Sequence, residues 1–393
     1  MSEWKEYKLG DLIKVKHGYA FTGEHITPTE TDKILVTPGN FHIGGGFKSD
    51  KFKYYNSNDF PQEYIFHSDD IIVTMTDLSK DTDTLGYSAK VPNNKKKLYL
   101  HNQRIGLLRF RSDKVCPDFV YWLMRTKEYH SYIVGSASGT SIMHTSPSRI
   151  EAYRCLFPEV EEQKRIAGVL SSLDDKIDLL NRENTTLEAL VETLFRHYFI
   201  ENPNPTWKEG KLGDEFDFTM GQSPSGDSFN EDGIGISMYQ GNADFGFRFP
   251  TRRVYTTAPT RFAEENDTLI SVRAPVGAQN MASEKCCIGR GVAAFRHKDK
   301  SLYSYTYYKL KSLLEDIRQF NDNGTVFGSI SKSDFENIDI VIPNRDSIVA
   351  FQEQATPIDK KIRTNYKQLL VLSAQRDSLL PRLMSGETKV TGQ

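Results

Sequence analysis

Cysteine is scarce. The 393-residue chain has four, Cys116, Cys155, Cys286 and Cys287, without the spacing of a thiolate metal site or the density of a disulfide scaffold. The adjacent pair Cys286-Cys287 cannot readily bridge itself, so a reducing, cytoplasmic setting is expected. No apolar run nears the ~18 residues of a membrane span, and the polar start Met1-Ser2-Glu3-Trp4-Lys5 does not have the make-up of a signal peptide. Charge of one sign is also missing. With 50 Lys and Arg against 52 Asp and Glu the formal net charge is −2, which argues against a uniformly basic nucleic-acid binder but leaves room for local basic faces. The chain has no Gly-x-x-x-x-Gly-Lys phosphate loop and no dinucleotide Gly-x-Gly-x-x-Gly after a strand. Its histidines, His17, His25, His42, His67 and His101 among them, lack metal-ligand spacing. Asn202-Pro203-Asn204-Pro205 wants the adjacent proline and aromatic residue of an amino-methyltransferase motif and reads as a linker. Glu209-Gly210-Lys211 is a lone Glu-x-Lys, too common to imply a nuclease. No catalytic residue and no metal ligand is assigned, and the chain is not expected to be an enzyme.

What is present is periodicity. From Glu161 to Phe199 the positions Ile166, Leu170, Leu173, Ile177, Leu180, Asn184, Leu187, Val191 and Leu194 step by fours and threes, and only Asn184 breaks the apolar run. That 3.5-residue repeat is a coiled-coil seam, narrower than the stripe of a globular helix. A helix of this length spans roughly 55–60 Å and needs a partner. The partner lies 185 residues further on, where Ile358, Ile362, Asn365, Leu369, Leu372 and Leu379 continue the pattern; Arg376 is a charged exception, and Thr356-Pro357 is expected to kink or fray the start of this second helix. Leu173-Asp174-Asp175-Lys176-Ile177 matches Ile358-Asp359-Lys360-Lys361-Ile362, and prolines precede both helices at Pro158 and Pro343.

The rest is duplicated as well. Trp4-Lys5 with Leu9-Gly10-Asp11 and later Gly18 repeats 203 positions on as Trp207-Lys208 with Leu212-Gly213-Asp214 and Gly221. Asp69-Asp70-Ile71-Ile72-Val73-Thr74 reads as a turn feeding a buried strand and matches Asn266-Asp267-Thr268-Leu269-Ile270-Ser271. Gln103-Arg104-Ile105-Gly106-Leu107-Leu108 reads as a strand with Gly289-Arg290-Gly291-Val292-Ala293-Ala294 as its counterpart. Each half then turns helical, has a loop ending in Gly-Thr, and closes with a short strand into proline. The predicted class is α+β: two similar α+β domains joined by two long helices, with boundaries at 1–157, 158–200, 201–342 and 343–386 and a flexible tail at 387–393. The second domain leaves the end of one helix and enters the start of the other. Antiparallel helices let those ends meet, so an antiparallel coiled coil with a pseudo-two-fold axis is expected.

The loops carry Lys and Arg beside Gly, Ser, Thr and Asn, the residue types that neutralise phosphates and read base edges. The candidates for DNA contact are Lys48, Lys51, Lys53, Thr76, Arg104, Gly139 and Thr140 in the first half, and Arg248, Arg252, Arg253, Arg273, Arg290, Gly324 and Thr325 in the second. The basic groups can equally be solvated strand faces, Arg104 and Arg290 structural ion-pair residues, and the Gly-Thr pairs plain turns.

The ordered set of motifs resembles the specificity (S) subunit of type I restriction–modification systems. It comprises the Trp-Lys-x-x-x-Leu-Gly-Asp domain starts, Asp267-Thr268-Leu269-Ile270-Ser271-Val272-Arg273-Ala274-Pro275-Val276-Gly277 and Cys287-Ile288-Gly289-Arg290-Gly291. The helix entry Glu161-Glu162-Gln163 to Leu173-Asp174-Asp175-Lys176-Ile177 and the closing Leu379-Leu380-Pro381-Arg382-Leu383-Met384-Ser385-Gly386 complete it. The resemblance covers essentially the whole chain. It implies two target-recognition domains that each read half of a bipartite, here asymmetric, double-stranded DNA site, and a coiled coil that sets the spacer. It implies docking of two adenine methyltransferase (M) subunits and, in the full complex, restriction (R) subunits. S-adenosylmethionine would belong to the methyltransferase, ATP and Mg to the restriction partner, and no cofactor to this chain. The alternative reading is a coiled-coil spacer or adaptor without sequence-specific DNA binding.

Overall fold

A computed structural model of the chain describes residues 4–77, 79, 82–139, 142–319 and 330–390. Packing divides it into two compact units, Met1–Leu179 with Gln368–Gln393, and Leu180–Lys367. Each unit therefore contains one globular part and one end of each long helix.

In the first unit a four-stranded antiparallel sheet runs Ile13–His17, Ile105–Phe110, Ile71–Thr74, Ser88–Lys90. A five-stranded sheet runs Ile26–Thr27, Lys53–Tyr55, Lys33–Val36, Leu98–His101, Ile65–Phe66, with one parallel pairing, Lys33–Val36 beside Leu98–His101. Strand alternation sorts the side chains between layers. Ile72, Ile105 and Leu107 meet Ile34 and Val36 between the sheets. Ile71, Val73 and Leu108 face the other way, into a core shared with Phe119, Trp122, Tyr129 and the long-helix residues Ile166 and Leu170. Leu35 and Leu100 point to the outer face, against Phe21, Tyr55 and Phe60.

The second unit repeats the order. Its four strands are Phe216–Met220, Val292–His297, Thr268–Ser271 and Gln279–Met281, and its five are Phe229–Asn230, Val254–Thr256, Ile236–Tyr239, Cys286–Ile288 and Phe262–Ala263. The parallel pairing recurs between Ile236–Tyr239 and Cys286–Ile288. Val292 and Ala294 turn toward the other sheet, while Ala293 and Phe295 turn toward the helices. In both units the motif that opens the globular part pairs with the strand that closes it: Lys5–Lys8 with Arg154–Phe157, and Lys208–Lys211 with Asp339–Ile342. The first unit adds a small pairing of Thr76–Asp77 with Met143–His144. Arg104 and Arg290 were expected on strands, but Ile105–Phe110 and Val292–His297 begin after them. Both arginines stand in the turn that precedes the strand.

The long helices are Val160–Arg196, with Glu161 and Glu162 in its first turn, and Arg345–Met384. Acidic side chains favour a helix N-terminus. Gln163 secures the first start: it accepts from the Cys116 amide at 2.8 Å and donates to the carbonyls of Lys114 and Pro158 at 3.0 and 2.8 Å. The expected interruption at Thr356-Pro357 does not occur, because the second helix runs through it as one 40-residue element. Pro357 and Glu353 lie on an exposed face, where water can serve the carbonyl that the proline leaves without an N–H.

Within each unit the two helix ends pack antiparallel. In the first, Ile166 and Leu170 share a core with Leu383 and Met384, and Asp174 accepts from Arg376 at 2.6 Å. That contact explains the one charged residue in the seam. In the second, Asn184 accepts from Asn365 at 2.9 Å, and Phe195 meets Phe351 with ring centroids 5.6 Å apart. Partner numbers fall as the first helix advances, which is the antiparallel sense. The seam positions Leu180, Asn184, Val191, Ile362 and Asn365 are buried; Leu173, Ile177, Leu187, Leu194, Ile358, Leu369, Leu372 and Leu379 are half-buried.

Candidate nucleic-acid interface

The two halves build the same arginine-tipped turn at the same end of the same sheet. In the first unit the turn after Leu98–His101 is closed by Ile105 N donating to Asn102 O at 3.0 Å. It is steadied by Arg104 N donating to Asn102 Oδ1 at 3.0 Å. Tyr19 clasps it from outside, donating to His101 O at 2.9 Å and accepting from Gln103 N at 2.9 Å. In the second unit Val292 N donates to Gly289 O at 3.0 Å, and Gln222 N donates to Ile288 O at 3.0 Å. Arg290 N donates to Ser223 Oγ at 3.4 Å.

The clasping segment crosses so close that only glycine fits. A Cβ on Gly18 would stand 2.1 Å from Asn102 O, and one on Gly221 2.1 Å from Gly289 O. The turn is thus fixed by its backbone while the side chains of Arg104 and Arg290 stay exposed. Beside each tip ends the next strand: Met75 N donates to Arg104 O at 2.8 Å, and Val272 N to Gly291 O at 2.9 Å. The structure therefore brings Thr76 beside Arg104 and Arg273 beside Arg290. A free guanidinium on a rigid turn can form a bidentate bond to a phosphate or to a guanine edge.

Other candidates fare differently. Arg248 is 2% exposed and its guanidinium donates to Asp359 at 2.8 Å, so it is an interior residue, not a DNA contact. Thr76 is 4% exposed and its hydroxyl is hydrogen-bonded to His144 Nδ1 at 3.1 Å, which closes it to a duplex. Arg252 is held by both oxygens of Glu284 at 2.8 and 2.7 Å, and Arg253 is paired with Asp244. Lys48 is half-buried and 3.3 Å from Asp50. Lys51, Lys53 and Arg273 are exposed. Gly139 adopts a positive φ of 124°, which leaves its amide turned as only glycine readily allows. Thr140, Gly324 and Thr325 lie outside the described residues.

Sequence reasoning missed one site in each half. In the first unit Arg125 is buried. It stacks over the rings of Trp122 and Tyr121 at 4.3 and 5.2 Å. It donates to Gly44 O at 3.0 Å, to Tyr121 Oη at 2.6 Å and to Asp174 of the long helix at 2.8 Å. In the second, Arg248 stacks over Tyr307 and Tyr308 at 3.4 and 5.1 Å and donates to Tyr308 Oη at 3.3 Å as well as to Asp359. Burial disfavours the charge on Asp174, but Arg125 and Arg376 outweigh it and its pKa is lowered. Burial likewise opposes the charge on Arg248, and Asp359 with the two tyrosines reverses that. The signal was present: Asp174 and Asp359 occupy the same place in the matched helix motif.

Among the described residues no cluster of three His, Cys, Asp or Glu side chains could hold a metal ion, and no helix is long and apolar enough to cross a membrane. What the described residues share is an arginine-tipped turn built once in each unit beside antiparallel long-helix ends. The family model described as type I restriction modification DNA specificity domain matches residues 1–189 and again 204–370. The chain belongs to that family and is a specificity subunit rather than an enzyme. The putative type I restriction enzyme MjaX specificity subunit of Methanocaldococcus jannaschii is 29% identical over 315 residues, which cover 75% of this chain and 74% of that one. The HindI specificity subunit of Haemophilus influenzae is 22% identical over 481 residues, covering 98% and 100%. The crystal structure of the S subunit from M. genitalium aligns with a TM-score of 0.60 at 20% identity, over 99% of this chain and 97% of that one. At that identity the likeness speaks for the fold.

Proposed function

We propose that this chain directs DNA adenine methylation to an asymmetric bipartite site, each unit reading one half and the paired helices setting the spacer. The observation that carries the reading is the arginine-tipped turn, built twice on the same sheet end and held by the same glycine clasp. The two turns have different neighbours, Thr76 with His144 in one and Arg273 with Ser223 in the other. Different neighbours favour unlike half-sites. Leu179, Leu190, Leu370 and Val371 remain exposed on the long helices, and exposed apolar side chains of this kind support the docking of two methyltransferase subunits there. Those subunits would bring S-adenosylmethionine; restriction subunits would bring ATP and Mg; this chain itself carries no cofactor. The setting of the assembly is cytoplasmic.

The test is methylome sequencing of a host that expresses this chain with its cognate methyltransferase subunit, against a host lacking the chain. A new bipartite adenine-methylated motif with a fixed spacer is expected. No new motif, with the methyltransferase folded and present, overturns the reading.

A further inference from the structure

Asp174 and Asp359 lie 185 positions apart at the same place in the duplicated helix motif. Each receives a buried arginine. The arginines, however, do not correspond. Tyr121-Trp122 in the first half corresponds to Tyr307-Tyr308 in the second, so Arg125 corresponds to Lys311. Lys311 goes elsewhere, to Glu188 at 2.5 Å and to Glu192. Arg248 belongs to the Gly246-Phe247-Arg248 loop, whose first-half counterpart, Gly46-Phe47-Lys48, ends in a lysine paired with Asp50.

The guanidinium nevertheless reaches the same junction in both units. It stacks on the same pair of rings, donates to a phenol of that pair and to the same helix aspartate, and joins the same loop to the same domain helix. In one unit the helix supplies it and the loop carbonyl of Gly44 accepts. In the other the loop supplies it. A single charge placed identically from two unrelated positions is hard to explain as inherited packing, since inheritance would have kept the donor. An apolar filler at either junction would also bury well, because a buried ion pair adds little net stability over a hydrophobic equivalent. What the ion pair adds is direction. A planar fork held by a carboxylate, a phenol and two ring faces fixes an angle that dispersion contacts leave loose.

We propose that Arg125 with Asp174 and Arg248 with Asp359 are positioning pairs. Each locks its recognition unit's sheet and loops at one angle to the long-helix segment in that unit, so that the Arg104 or Arg290 turn is presented to DNA in register. The pairs act through those turns and touch no base themselves. This inference rests on the DNA-reading function proposed above.

The test uses the full chain assembled with its methyltransferase subunits. Two variants are compared with wild type: R125K, which keeps the charge and loses the fork, and the double exchange R248M/D359L, which removes the buried pair together and so strands no charge. The readouts are half-site-resolved methylation and amide hydrogen exchange. With R125K, discrimination at the first half-site is expected to fall about tenfold while the second is unchanged; R248M/D359L does the reverse. The exchange of residues 242–249 or 42–47 rises only in the altered unit. A relocation, R248A/K311R, is expected to regain part of the lost discrimination, because residue 311 stands where Arg125 stands in the first unit. Wild-type discrimination at both half-sites in R125K and R248M/D359L overturns the proposal. So does a uniform loss at both half-sites, which marks a merely structural role. If R248M/D359L fails to fold, R125K alone decides. If the wild type yields no bipartite motif, the function falls instead, and the exchange data still judge the pairs: unchanged protection of both loops overturns them.

Discussion

Leu12 in the first unit and Glu215 in the second occupy the same place in the duplicated Leu-Gly-Asp motif, and both are buried, at 2% and 4% exposure. Leu12 sits in the core with Leu9 and Ile13. Glu215 accepts from Tyr305 Oη at 2.9 Å on one oxygen, and its Oε2 has no hydrogen-bond partner among the described residues. His297 stands 4.0 Å away, and the nearby Lys298 and Lys309 amines are spent on backbone carbonyls. Burial pushes the Glu215 carboxyl up to about 7 against the pull of Lys309, Tyr305 and Lys298. One duplicated scaffold thus carries a pH-insensitive core at one site and a titratable one at its twin. The lesson is that the copies share topology and closure but differ in chemistry inside as well as at the loops.

That comparison can be broken most drastically through the frame. Four residues inserted into one helix after Glu188 shift the seam out of phase and should abolish site-specific methylation. Seven residues inserted in both helices at matched positions should lengthen the recognised spacer and leave both half-sites as they were, read by methylome sequencing. Next is the clasp. G18A and G221A each drive a Cβ to 2.1 Å from a backbone carbonyl and should cost on the order of 3 kcal/mol or more. Each should abolish recognition of one half-site, a different one for each glycine, seen in binding to duplexes mutated in a single half.

Glu215 gives a third, slightly smaller effect. Its folded pKa of about 7 lies above its ordinary 4.5, so the folded state keeps a proton that the unfolded chain releases. Its contribution is most favourable below pH 4.5 and declines as pH rises through 7, by about 3 kcal/mol in all. E215L, which installs the first unit's residue, should remove that decline. Urea midpoints of the two proteins should differ more at about pH 8 than at about pH 5. Arg104 and Arg290 come next: R104A or R290A should weaken binding by about 1–3 kcal/mol and relax one position of one half-site. The smallest effect is K51A or K53A, each expected to lower the salt dependence of binding by about one unit of slope without changing the motif.

Much of this was legible in the sequence. The seam, the duplication and the antiparallel sense follow from period, offset and connectivity; the strand order within each sheet does not. The candidate site was less so. Arg248 looked like a loop cation because loop composition says nothing about which way a side chain turns; its direction is set by Tyr307, Tyr308 and Asp359, all far away in the chain. Thr76 was lost to burial by a strand partner 68 residues away, His144, that sequence spacing does not announce. Arg104 and Arg290 were misplaced by one or two residues, the usual uncertainty at strand ends. The pairing of Asp174 with Asp359 was in plain view as a motif match. Its meaning needed the two non-corresponding arginines, which an offset search passes over.

The buried amide pair Asn184–Asn365 has one more consequence. A leucine seam slipped by one heptad would still bury leucine on leucine. Sliding these helices past each other by that step, about 10 Å at 1.5 Å per residue, would leave two amides in hydrocarbon without partners. At 3.4 Å per base pair such a slip equals about three base pairs of DNA. On the function proposed above, the two asparagines would be the zero mark of a measuring instrument, and the accuracy of the interval would depend on them more than on the many leucines that give it strength.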